Sequence, residues 1–193
     1  MNDDAIAEFL GRAIYPEGAY PQQPTWELWT LDYELIHKLV LKMLCDSTPG
    51  FLADLCPSGS SSGRTCLIEP AGGLYDVRIL TDHAVAEIEI KVWSPLTSDQ
   101  VARQIEPIRT SGTRLFYLLL GRTGVQRSRQ WVSETTIGLG AKISYRELDA
   151  SLAALIAANA AGPFARQLAT AYHKALTAQY ERIRKSFGKD PNW

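Results

Sequence analysis

Between Gly112 and Gly121 the chain runs Leu115-Phe116-Tyr117-Leu118-Leu119-Leu120, six apolar side chains with no polar position among them. So short a run suits a strand better than a helix, and a strand sends successive side chains to opposite faces. A strand with no polar face is buried on both, so it lies inside a sheet that other elements cover on each side.

The flanking segments supply those elements. From Trp26 to Leu44 the apolar residues Leu28, Leu31, Leu35, Ile36, Leu39, Val40 and Met43 recur at three and four, the stripe of an amphipathic helix. Three strands are expected at about Thr65 to Glu69, Leu74 to Leu80 and Ala84 to Trp93, the last two close enough to form a hairpin across Thr81-Asp82-His83. Thr97-x-x-Gln100 is a capping-box pattern that starts a second helix at Ser98, with Pro107 shortening it and Gly112 beyond its end. After the apolar strand come an Arg-rich loop, a short helix around Gln126 to Thr135 and a short strand around Lys142 to Tyr145. Two helices then follow, separated by Gly162-Pro163. The last of them carries Phe164, Leu168, Tyr172, Leu176, Tyr180, Ile183 and Phe187 on one stripe, which needs a partner surface on the core or on a second copy.

The 193 residues suffice for one domain with an appendage, and Pro57 to Gly63 reads as a loop, not a boundary. No stretch approaches the roughly 18 to 20 apolar residues of a membrane span, and the acidic start Met1-Asn2-Asp3-Asp4 lacks the basic region of a secretory signal. The expectation is a cytoplasmic protein with no membrane association. Cys45, Cys56 and Cys66 have no metal-knuckle spacing and read as reduced thiols. A net charge of −1 hides an asymmetry: residues 1–106 hold 16 acidic and 7 basic side chains, residues 107–193 hold 5 and 13. That division suits an acidic metal cleft beside a basic phosphate-binding face, and equally two halves that attract each other.

Chemistry concentrates in the third strand. Period-two alternation puts Glu87, Glu89, Lys91 and Trp93 on one face with Val85, and Ala84, Ala86, Ile88, Ile90 and Val92 on the other. Asp76 and Arg78 share a face of the preceding strand, and a hairpin in suitable register brings Asp76 beside the carboxylates. Clustered carboxylates repel unless a cation neutralises them, and hard oxygen donors select Mg²⁺, Mn²⁺ or Ca²⁺. A lysine two residues beyond such a carboxylate reaches a water or phosphate oxygen at the same place, which fits metal-assisted phosphodiester hydrolysis. The alternative is that these charges are the solvated face of an antiparallel strand.

The order helix, three strands, helix, strand, with Asp76, Glu89-Ile90-Lys91 and Gln104, resembles the PD-(D/E)XK nuclease superfamily over residues 26 to 121. That resemblance implies a restriction-endonuclease-like αβββαβ core: a mixed sheet flanked by helices, with C-terminal helices added. Residues 1–25 would be an N-terminal arm, 26–146 the nuclease-like core and 147–193 a C-terminal helical extension, all in a single domain. It implies that Asp76, Glu89 and the backbone carbonyl of Ile90 hold Mg²⁺ or Mn²⁺, that Lys91 is the catalytic lysine, and that Gln104 matches the second-helix glutamine of RecB-like relatives. Glu34 matches the first-helix acid of some members, and Glu87 is a further candidate. Tyr75 stands where the family name has Pro, and Ile108 where one version of the helix motif has Tyr. The function implied is a metal-dependent nuclease on DNA before RNA; the alternative is a non-catalytic member of the fold that binds protein or nucleic acid.

Arg122, Arg127 and Arg129 follow the apolar strand and are candidate phosphate contacts, with a solvated loop as the simpler reading. His37, His83 and His173 have no zinc-ligand spacing. The C-terminal helices are the candidate surface for a homodimer or a protein partner.

Overall fold

The computed structural model describes residues 34–48, 50–52, 65–68, 73–82, 84–92, 96–119, 140–143, 145–158 and 161–187. Along them run α1 (Glu34–Ser47), β1 (Thr65–Ile68), β2 (Val77–Leu80), β3 (Val85–Lys91), α2 (Ser98–Ile105), a 3₁₀ turn (Glu106–Ile108), β4 (Arg114–Leu119), β5 (Gly140–Ile143), α3 (Tyr145–Ala157) and α4 (Pro163–Phe187). The fold is mixed α/β, and its elements from α1 to β4 follow the αβββαβ order.

The strands form one sheet in the order β1-β2-β3-β4-β5. Its first three strands are antiparallel and its last three parallel. Connection length explains the change. The turn between β2 and β3 is closed by the Thr81 N–H donating to Ala84 O at 2.9 Å and the Ala84 N–H donating to Thr81 Oγ1 at 2.9 Å, so the chain reverses at once. Between β3 and β4 it passes through α2, the kind of crossover that a parallel pair requires.

β4 divides its side chains between two cores, as an internal strand must. Phe116 and Leu118 join a cluster with Ile36, Val40 and Leu44 of α1, Leu148 and Leu152 of α3, and Leu168 and Tyr172 of α4. Leu115 and Tyr117 join a second cluster with Val101 and Ile105 of α2, Ile108 and Tyr75. β3 divides likewise: Ala86, Ile88 and Ile90 enter the first cluster, leaving Glu87, Glu89 and Lys91 to the α2 side. Leu168, Tyr172 and Leu176 of α4, with Phe164 and Tyr180 packed against the same cluster, are therefore spent within the chain, in the core shared with α1, α3 and the sheet; the side chains of Ile183 and Phe187 lie outside those described.

Several boundaries differ from expectation. α1 begins at Glu34 among the described residues and runs on to Ser47; residues 26–33 lie outside them. Its buried line is Ile36, Val40, Leu41 and Leu44, while Leu35 is 40% exposed, because the helix meets the sheet along a narrower seam than its apolar residues span. α2 ends at Ile105, four residues before Arg109; Pro107, with no N–H to give, lies in the 3₁₀ turn. β5 lies at Gly140–Ile143, and Tyr145, expected to end that strand, begins α3. The helix expected around residues 126–135, the arm at 1–25 and the loop at 57–63 lie outside the described residues. No helix among the described residues is long and apolar enough to cross a membrane.

Candidate active site

Asp76 sits one residue ahead of β2, where the ladder with β3 runs out. Its N–H donates to Ile88 O at 3.0 Å, and its Oδ2 accepts the Ile90 N–H at 2.6 Å. A side-chain oxygen thus stands in for the next backbone acceptor of β2, which aims the carboxylate at β3. Its other oxygen, Oδ1, lies 2.5 Å from Lys38 Nζ of α1.

Glu89 and Lys91 occupy the β3 face beneath α2, and both are withdrawn from water, at 3% and 8% exposure. Those values exclude the solvated-face reading. Glu89 Oε1 lies 2.5 Å from Lys91 Nζ and accepts from Gln100 Nε2 at 2.6 Å, while Oε2 accepts from Gln104 Nε2 at 2.8 Å. Gln100 and Gln104 are one helical turn apart, so the same face of α2 presents both. Thr97 caps that helix, its Oγ1 accepting the Gln100 N–H at 3.2 Å. The reciprocal arm of the expected capping box is redirected: the Gln100 amide goes to Glu89.

Gln104 is held from behind as well. Its Nε2 also donates to Leu74 O at 2.6 Å, and its backbone carbonyl accepts the Tyr75 hydroxyl at 2.7 Å. Tyr75 thereby ties α2 to the segment that leads into β2. Both bonds of Nε2 run to acceptors, so the amide orientation is determined and Oε1 faces inward, buried without a hydrogen-bond partner. The Tyr117 hydroxyl is likewise buried without a partner.

Electrostatics follow from this packing. Burial and then the field of Asp76 push the Glu89 carboxyl upward, against the pull of Lys91 and Gln104. Burial works against the Lys91 charge, but the Glu89 hydrogen bond and the fields of Glu89, Glu34 and Asp76 outweigh it, and the net direction is upward. The Tyr75 phenol is pushed up to about 12 by burial and then Glu87, with Arg78 opposing. Burial, then Glu89 and Tyr75, raise the Tyr117 phenol.

Among the remaining candidates, Glu34 opens α1 and its Oε1 lies 3.4 Å from the Val92 N–H, close enough for its field to reach Lys91. Ile90 is fully buried and adjoins Asp76 through its N–H. Glu87 is drawn to Arg78, with Oε1 at 2.7 Å from Nε, two residue pairs along the hairpin from Asp76 and Glu89. Arg122, Arg127 and Arg129 lie outside the described residues. Lys38 was not singled out and Gln100 was expected only as a helix cap, though each is one turn from a candidate site residue, Lys38 from Glu34 and Gln100 from Gln104. That i,i+4 relation is the signal that would have found them.

The groups brought together offer oxygen donors, the Asp76 and Glu89 carboxylates, and Gln104 Oε1 is buried without a partner. No group of three or more His, Cys, Asp and Glu suited to a metal occurs among the described residues. The field of Asp76 raises the Glu89 carboxyl, and two such carboxylates are the hard oxygen donors that suit Mg²⁺ or Mn²⁺.

No family model and no curated protein matches the chain. Among solved structures, the MspJI restriction endonuclease in complex with a 27-mer oligonucleotide is similar at a TM-score of 0.42 and 15% identity, over 94% of this chain and 36% of that one.

Proposed function

We propose that this chain is a divalent-metal-dependent nuclease that hydrolyses phosphodiester bonds, with DNA as its substrate. The observation that carries the reading is the meeting of Asp76, Glu89 and Lys91 beneath α2: an acid from the end of β2 and an acid-lysine pair from β3, all largely buried and held from both sides. Burying two like charges together is costly. The PD-(D/E)XK resemblance of the same residues gives that cost a purpose and supplies the preference for DNA.

In this reading Asp76, Glu89 and the Ile90 carbonyl hold Mg²⁺ or Mn²⁺. When bound there, such an ion would supply Lewis-acid polarisation of a phosphoryl oxygen and would favour ionisation of the attacking water. Hydrolysis forms one bond from a water oxygen to phosphorus and breaks one phosphorus–oxygen ester bond, giving a phosphomonoester and an alcohol. Lys91 Nζ, already aimed at Glu89 Oε1, donates to the attacking water and to the oxygen on which negative charge grows. Gln100 and Gln104 fix the Glu89 carboxylate by one bond to each oxygen, which keeps the acid from rotating as charge moves. Asp76 is fixed by the Ile90 N–H in the same sense. Arg122, Arg127 and Arg129 are the proposed contacts to the nucleic-acid backbone.

Cleavage of supercoiled plasmid, linear duplex, single-stranded DNA and single-stranded RNA in Mg²⁺, each against an EDTA control, tests the proposal. Metal-dependent cleavage of DNA supports it. Cleavage of RNA alone corrects the substrate, and no cleavage of any of them favours a binding subunit of the same fold.

A further inference from the structure

The nuclease reading makes no use of Lys38, yet its ammonium lies 2.5 Å from Asp76 Oδ1. It comes from α1, one turn beyond Glu34, whereas Lys91 comes from β3, so two lysines reach the acids from different elements. The Asp76 carboxylate has two oxygens and both are taken: Oδ2 by a backbone N–H in the sheet, which cannot leave without opening the β2-β3 end, and Oδ1 by a flexible side chain. The Lys38 side chain is 20% exposed against 11% for that of Asp76, so of the two partners the lysine keeps the greater contact with solvent. A cation that takes Asp76 Oδ1 must displace the ammonium from it.

Resting on the metal-site reading above, we propose that Lys38 is a tethered counter-ion: it occupies Asp76 Oδ1 while no metal is held, yields that oxygen to a divalent cation, and then takes a phosphate oxygen of the nucleic acid. Charge counting supports the exchange. Glu34, Asp76 and Glu89 against Lys38 and Lys91 give one excess negative charge, and a divalent cation turns it into one excess positive charge, which a phosphodiester then neutralises. The same lysine thus opposes metal in the free protein and favours phosphate once metal is held, coupling the two ligands. As a compact ammonium on a four-carbon stem it has the reach to move between the two partners, which a planar guanidinium held at both ends of its fork lacks.

The test is Mn²⁺ binding by titration calorimetry on wild type, Lys38→Met, Lys38→Gln and Asp76→Asn. It is joined by binding of a fluorescein-labelled 20-base-pair DNA duplex in Ca²⁺ at several salt concentrations, with the duplex checked for integrity on a gel. Lys38→Gln keeps a donor for Asp76 without the charge and serves if the Met variant folds poorly. The expected result is Mn²⁺ bound about tenfold more tightly by the Lys38 variants. Their duplex binding should be weaker, with a slope of log affinity against log salt shallower by about 1, the loss of one phosphate contact. Wild type that binds Mn²⁺ through Asp76, with Lys38 variants that bind it equally or less well or keep the full salt slope, overturns the counter-ion and leaves the metal site standing. No Mn²⁺ binding by wild type or by either Lys38 variant overturns both.

Discussion

Glu89 sits at the conflict between stability and chemistry. Burial and Asp76 raise its carboxyl in the folded chain, so the folded state holds that proton more tightly than the unfolded state does. The sign follows: as pH rises from about the model-peptide value of 4.3 through the folded value, unfolding releases a proton and Glu89 lowers stability. Urea denaturation of wild type and Glu89→Gln at pH 4, 5.5 and 7 should show the wild type losing ground to the variant as pH rises; ground gained by the wild type would contradict this environment for the acid. The acid-x-lysine pattern was legible at the residue scale because alternation places Glu89 and Lys91 on one face whatever the register. Their burial was not, since the same alternation describes a solvated edge until α2 is known to cover it. Lys38 was hidden for a related reason: a lysine among apolar helix residues reads as a solvated face, and only the end of β2 makes it a partner of Asp76.

Among the elements, α2 carries the most consequence for its eight residues. Its start was readable from Thr97 and Gln100, but only the Thr97 half of the capping box forms, because the Gln100 side chain is turned to donate from Nε2 to the buried Glu89 carboxylate, a charge-assisted bond, instead of reaching back to accept the N-cap N–H. Thr97→Ala removes the remaining cap and should cost about 1 kcal/mol, read as a fall of a few degrees in the melting temperature. An unchanged melting temperature would mean that packing of Val101 and Ile105 alone sets the helix start. β4 was the most readable element of all, with Leu115, Phe116, Tyr117 and Leu118 serving two cores in alternation, because an internal strand leaves no other solution. α1 was legible as a helix but not in its rotation: Leu35 belongs to the apolar periodicity and faces out, a choice made by the width of the sheet beneath.

Across the whole molecule, the helices beyond β5 are part of the main core. Leu168 and Leu176 of α4 lie with Ile88 and Ile90 of β3 and with Val40 of α1 in one cluster, so the strand that bears Glu89 on one face is backed on the other by a core in which α1 meets the sheet and α4 packs on α1. Leu168→Ala should therefore cost roughly 2 to 5 kcal/mol and lower the single transition of the entire domain, followed by circular dichroism during urea titration. A separate early transition would show instead that α3 and α4 melt independently of the sheet. The charge asymmetry along the chain was visible from composition alone. Its use was not, since the acids that matter, Asp76 and Glu89, are paired with lysines of the same acidic half.

The central claim is that Asp76, Glu89 and Lys91 form one hydrolytic centre. Its most direct measurement is the rate of supercoiled-plasmid cleavage in Mg²⁺ by wild type, Asp76→Asn and Lys91→Ala, all three matched for folding by circular dichroism and melting temperature. Cleavage by wild type that EDTA abolishes, and that falls at least about 100-fold in each variant, is the predicted result. Cleavage that persists in both folded variants, or none by wild type in Mg²⁺ or Mn²⁺, would contradict it.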